Sequence, residues 1–219
     1  MENEHIAAAA AVLAREALVT AFGHVSVRLG EHALAITPPA PLNTVSSKTN
    51  LIEVPLDSVT LPKGAPGETW IHLAIYNARS DVNAIARAQP PSSHPAGASS
   101  DSISPIHGQG AWIGAQLPIH SDARLVRSLA AGQAVAKALG DARAVLLRGN
   151  GAVTVGSDPR EAATLQWVVE QTCAHVLRAA AIPTRALDAD ELSAWHNTWP
   201  ELWPRLWAFL SPDHLSANQ

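Results

Sequence analysis

The chain has 219 residues, with 15 Lys and Arg against 19 Asp and Glu, and a formal net charge of −4. Its 47% hydrophobic and 16% charged composition can fill one core and excludes a disordered chain. With no basic run and a single Cys173, non-specific nucleic-acid binding, a disulfide framework and a Cys-rich zinc module are excluded.

His5 to Ala17 is rich in Ala and Leu and lacks Gly and Pro, which predicts an opening helix. Its apolar start, Ile6 to Ala14, is not a signal peptide, because Glu2 and Glu4 precede it and Arg15-Glu16 interrupts it. No apolar run reaches the roughly 18 residues a membrane span needs, so a soluble, cytoplasmic protein is expected, with no membrane or nucleic-acid partner.

Val25 to Leu29 alternates like a strand, and Ala33 to Thr37 is a second one, closed by Pro38-Pro39. Pro38 to Thr49 reads as a loop and Leu51 to Leu56 as a short strand. After a Pro/Gly turn cluster, Glu68 to Arg79 has helical spacing at Ile71, Ala74, Ile75 and Ala78. Asn83 to Ala88 reads as a buried strand ended by Pro90-Pro91.

Ser92 to Gly110 reads as one long polar loop, the kind that is more often functional than idle. A strand at Leu117 to His120 precedes a helix predicted over Leu125 to Leu139, which Gly140 ends. Ala144 to Leu147 and Ala152 to Val155 are strands joined through Arg148-Gly149-Asn150-Gly151. Ser157-Asp158-Pro159 caps a helix reaching about Ala181.

The tail, residues 189–219, is helical by pattern over Ala189 to Leu210. It carries Trp195, Trp199, Trp203 and Trp207 along one drifting stripe. These indoles either pack on the body of the protein or cover a neighbouring subunit. No linker or repeat divides the chain, so a single domain is expected.

Several polar residues fall where chemistry is possible. His24, Ser26 and Arg28 share one strand face, which suits a carboxylate or phosphate but also suits a solvated edge. Glu68 and His72 are helical neighbours, fit for acid/base work, for a metal, or only for a surface contact. Arg87 and Gln89 share a face at a strand end, where a buried charge needs a partner, and Glu68 is the candidate. Asn150 sits between two glycines, a placement that turn chemistry alone would explain.

Taken together, AFGHVSVRL, AITPPAPL, ETWIHLAIYNARSDVNAI, LPIHSDARLV and AVLLRGNGAVTVG resemble the class II aldolase/adducin family. The likeness extends from Ala7 to about Ala181. That family's ordinary motifs read GNxSxR, ITPSG, an E-x-x-x-H-x-x-x-Y helix and an RxHG turn. GHVSVR looks more like the branch that decarboxylates hydroxylated aromatic or pyridine carboxylates than like the sugar-phosphate aldolases. The resemblance implies an α/β class, as a single-domain α/β/α sandwich around a central, mainly antiparallel sheet. It also implies a homo-oligomer, a tetramer in the family, with active sites between subunits.

Family members of this type hold zinc or manganese with three His, and a Glu serves as acid/base. The Glu position matches Glu68, but the His positions match Arg87, Gln89 and Asn150. No imidazole remains there, so no metal cofactor is expected. His94, His107 and His120 are the only histidines near the long loop with which to build a displaced site.

Two readings follow. One is a metal-independent lyase performing decarboxylation, retro-aldol cleavage or related enolate chemistry on a small anionic carbonyl or hydroxy-carboxylate. Its catalytic residues would be Glu68, Arg87 and His72, with His24, Ser26, Arg28, Gln89, Asn150 and His107 binding substrate. The alternative is a non-catalytic, adducin-like binding or assembly protein with a degenerate site.

Overall fold

A computed structural model describes residues 2–211. The chain runs α1 (Glu2–Arg15), β1 (His24–Leu29), β2 (Ala33–Ile36), β3 (Ile52–Pro55), α2 (Thr69–Ala78), β4 (Ala84–Ala88) and α3 (Ser93–Ser99). It continues through β5 (Ser102–Ile103), β6 (Leu117–His120), α4 (Leu129–Leu139), β7 (Ala144–Leu147), β8 (Ala152–Gly156), α5 (Pro159–Ala179), α6 (Ala189–His196) and α7 (Trp199–Leu210). The strands form one sheet in the order β3-β2-β1-β4-β8-β7-β6-β5. Only β6 and β7 pair in parallel, so the sheet is mainly antiparallel as expected.

Strand alternation assigns the two faces. Ile85 on β4 and Leu34 and Ile36 on β2 pack with α2 and α4 in one core. Val25 and Val27 on β1 and Ala84, Ala86 and Ala88 on β4 pack with α1 and α5 in another. These layers make an α/β/α sandwich. Arg87 lies between Ala86 and Ala88, so its side chain is on the α2 side, as are those of His24 and Ser26. The β1–β4 register sets His24 directly across from Arg87.

Three segments differ from the sequence reading. The 92–110 stretch holds α3, β5 and a 3-10 turn at Gly108–Trp112, rather than one loop. Its Ser, Gly and Pro content hides the short helix, although Pro95 falls in the first turn, where a missing N–H costs nothing. The helix expected from Leu125 starts instead at Leu129, where the Ser128 hydroxyl accepts from the Ala131 N–H. Arg127 therefore lies before this helix and not within it.

The tail is two helices, broken at Asn197 and Thr198. Pro200 is accommodated only near a helix start, and the Trp112 indole N–H donates at 3.0 Å to both the Trp195 carbonyl and the Thr198 hydroxyl. Trp199 is buried and donates to Glu161 Oε1, while Trp203 and Trp207 are partly buried against the body. Trp199, Trp203 and Trp207 thus pack on the body of the same chain, whereas Trp195 is 40% exposed. The predicted tail beyond Ser211 lies outside the described residues. Among those residues no helix is long and apolar enough to cross a membrane.

Candidate active site

The strand ends of β1 and β4, the N-terminus of α2 and the β7–β8 turn converge on one spot. Glu68 is the residue that precedes the first turn of α2, which aims its carboxylate at β4. The β7–β8 turn can approach because Gly151 has φ 87° and lies so close to β4 that a Cβ would meet the Ala88 carbonyl oxygen at 2.1 Å. Asn150, flanked by Gly149 and Gly151, is thereby placed beside Arg87.

The result is a closed ionic cluster. Arg87 Nη2 lies 3.2 Å from Glu68 Oε2 and also donates to the Asn150 side-chain oxygen and, at 3.2 Å, to the Asn150 carbonyl. Asn150 Nδ2 donates to Glu68 Oε1 at 2.9 Å, and Gln89 Nε2 donates to Asn150 Oδ1 at 3.3 Å. Burial alone would raise the Glu68 pKa. His24, the Arg87 guanidinium and the Asn150 amide outweigh it and hold the carboxyl at about 2. Burial lowers the Arg87 value while Glu68 opposes it. Both groups are charged at neutral pH.

Behind this cluster lies a second, neutral network. His24 Nε2 stands 3.8 Å from Glu68 Oε2, and His24 Nδ1 lies 2.8 Å from His72 Nε2. His72 Nδ1 is 2.7 Å from Ser26 Oγ, which is 2.8 Å from the Tyr76 hydroxyl. Burial drives both imidazole pKa values down, that of His72 furthest, and the positive charge of Arg87 acts in the same direction. Burial raises the Tyr76 phenol above its usual value.

A cleft of about 280 Å³ opens onto these groups, lined by His24, Glu68 and Arg87 at its floor, with Phe22, Pro39 and Arg127 among the other walls. Arg127 has no hydrogen bond or ion pair among the described residues. Its guanidinium lies over Gly67, where a Cβ would meet Nη1 at 1.6 Å, so the bare glycine lets it rest in this position across the mouth.

Of the nine residues singled out in the sequence, His24, Glu68 and Arg87 line this cleft. Gln89 and Asn150 brace them. Ser26 and His72 are fully buried behind them, out of reach of a ligand unless through His24. Arg28 is drawn away, donating to the carbonyls of Tyr76, Val82 and Arg79 around the end of α2. His107 stacks on His175 at 4.6 Å, contacts Thr172 and does not line the cleft. Burial and His175 lower its pKa to about 4. Neither Arg28 nor His107 is thus placed to touch a ligand here.

Arg127, Phe22 and Tyr76 are the residues that sequence reasoning missed. The sequence pattern puts Arg127 inside the helix expected over Leu125 to Leu139. This arginine directly follows the segment LPIHSDARLV, which ends at Val126, so no motif marks it. Among the described residues no three of His, Cys, Asp or Glu gather as a metal site, and His94, His107 and His120 do not converge.

Fold and site define an α/β/α sandwich protein with a charged cleft at the ends of its central strands. The chain belongs to the class II aldolase and adducin N-terminal domain family, whose model matches residues 4–177. It is 32% identical over 188 residues to a 3,4-dihydroxyphthalate decarboxylase of Arthrobacter keyseri, covering 78% of this chain and 75% of that one. A Rhodococcus jostii protein of the same description is 29% identical over 154 residues, covering 64% and 63%. In structure it is similar to an L-fuculose 1-phosphate aldolase from Glaciozyma antarctica, with a TM-score of 0.79 at 21% identity, covering 99% and 90% of the two chains. A Thermus thermophilus l-fuculose-1-phosphate aldolase gives 0.69 at 26% identity, covering 82% and 96%.

Proposed function

We propose that the protein is a lyase that decarboxylates a small hydroxylated aromatic carboxylate without a divalent metal. The observation that carries this reading is the ionised Glu68 held against Arg87 and Asn150 at the floor of a cleft whose mouth bears the unpaired Arg127. The cleft is near the lower limit of about 300 Å³ for small-molecule sites, enough for one ring with its substituents. Phe22, 67% exposed, offers an apolar wall for that ring. Arg127 suits its carboxylate. The decarboxylase relatives support this substrate class over a sugar phosphate.

The residues present do not fit zinc or manganese. Arg87 has no lone pair to donate, and its fixed charge repels a dication. Gln89 and Asn150 bring only amide oxygens, and the Asn150 oxygen is already taken by Arg87 and Gln89. The guanidinium instead supplies the positive charge, preorganised by its salt bridge to Glu68.

In the reaction Glu68, ionised at neutral pH, takes the proton of a ring hydroxyl, and Arg87 stabilises the phenolate. Glu68 returns that proton to the ring carbon bearing the carboxylate, giving a cyclohexadienone. The C–C bond then breaks, its electron pair restores the aromatic ring, and CO2 leaves. A proton from solvent neutralises the phenolate.

The test is CO2 release from 3,4-dihydroxyphthalate and a panel of hydroxybenzoates. The wild type is expected to release CO2 from at least one compound. Glu68→Gln is expected to lower kcat by about 100-fold or more, as loss of a proton-transferring group does. A protein that neither binds nor decarboxylates any of the panel would favour the adducin-like binding module. A homo-oligomer, a tetramer by family resemblance, belongs to the same proposal, and light scattering tests it.

A further inference from the structure

Resting on that site, we infer that His24 is locked as a neutral donor, protonated on Nε2, by a one-way hydrogen-bond chain that begins at the Tyr76 hydroxyl. The chain runs Tyr76, Ser26, His72, His24, with successive contacts of 2.8, 2.7 and 2.8 Å. Tyr76, His72 and His24 come from α2 and β1, and all four side chains are buried.

Only two self-consistent directions exist. A neutral imidazole has one N–H and one lone pair, so fixing either ring fixes the other. A doubly protonated His72 is ruled out by its burial beside Arg87 and His24. In the forward direction Tyr76 donates to Ser26, Ser26 to His72 Nδ1, and His72 Nε2–H to His24 Nδ1. His24 then carries its proton on Nε2, facing the Glu68 carboxylate. In the reverse direction His24 Nδ1–H starts the chain and Ser26 donates to Tyr76.

Both ends select the forward direction. At the far end Tyr76 has no hydrogen-bond acceptor other than Ser26 among the described residues, so reversal would strand a buried O–H. At the near end reversal would aim the Nε2 lone pair at the Glu68 carboxylate 3.8 Å away. That separation is too long for a hydrogen bond, so the forward N–H is attracted to Glu68 yet remains available to a ligand in the cleft.

His24 is therefore a donor to the substrate oxygen that gains charge, alongside Arg87, and not a base. The chain does not feed protons into the reaction, since each shift along it would end in a buried Tyr76 phenolate whose formation burial opposes. Tyr76, Ser26 and His72 are positioning residues, acting on the substrate through the ring they orient.

The test is nitrogen NMR of 15N-histidine-labelled full-length protein without ligand, assigned with His24→Gln and His72→Gln. Both rings in the wild type are expected to show a pyrrole-type Nε2 and a pyridine-type Nδ1. A pyrrole-type Nδ1 on either ring overturns the inference. In Tyr76→Phe reversal would strand the buried Ser26 O–H instead, so both tautomers are expected to persist, and a pyrrole-type Nδ1 in that variant overturns the far-end selection. Because the spectra need no turnover, they decide this point even if no substrate is found. Where turnover is measured, Tyr76→Phe is expected to lower kcat several-fold with little change in KM, and an equal loss in both would contradict a positioning role.

Discussion

On one face of β1 and β4, Val25, Val27, Ala84, Ala86 and Ala88 pack against α1 and α5. On the other, His24, Ser26 and Arg87 are buried as deeply but are tied together by polar contacts. The first face is held by close apolar packing, with three alanines letting the helices approach. The second is held by paired charges and a chain of hydrogen bonds, and each group there is costly if left alone. Such a polar face is a poor way to gain stability and a good way to fix side chains at a cleft. The contrast confines the chemistry to the cleft end of the α2 side, while Ile85 further along β4 joins an apolar core of its own.

Breaking the polar face should have the larger effect. Arg87→Ala leaves Glu68 buried without its cation, and urea denaturation should show a loss of about 3–5 kcal/mol. The same pair predicts an acid limb. Glu68 titrates near 2 in the folded protein, below the ordinary 4.5. Its stabilising contribution is therefore complete above about pH 4.5 and disappears as pH falls through the folded value. Denaturation curves between pH 5 and 2 should show that slope in the wild type, and Glu68→Gln should flatten it.

On the apolar face Ala84→Leu overfills a close-packed site and should cost about 1–3 kcal/mol. Ligand affinity of the folded protein should be unchanged, since Ala84 faces away from the cleft. Arg127→Ala should do the opposite: an unchanged melting curve, but about 10-fold weaker binding of an aromatic carboxylate by calorimetry, equivalent to about 1.4 kcal/mol. Raising the salt concentration should weaken wild-type binding more than that of the variant.

Much of this contrast is legible in the amino-acid sequence. Period-two alternation puts His24, Ser26 and Arg28 on one side, and the buried charge of Arg87 at a strand end points to Glu68 as its partner. What alternation cannot give is where a long side chain ends. Arg28 shares the strand face of His24, yet its guanidinium reaches three carbonyls at the end of α2. Arg127 depends on a helix starting four residues later than its pattern suggests and on the bare surface of Gly67. The Tyr76 link depends on the β1–α2 packing angle, which no local spacing encodes. In the tail, the spacing of Trp199 and its partners reads as a stripe, but the break at Asn197 and Thr198 rests on long-range bonds from Trp112.

The most direct test of whether Arg87 has replaced the family's cation is elemental analysis by mass spectrometry of untagged protein, before and after chelator treatment, with CO2 release assayed on both samples. We expect no stoichiometric zinc or manganese and the same activity in each. Near-stoichiometric metal that the chelator removes together with activity would contradict the replacement and require ligands other than Arg87, Gln89 and Asn150.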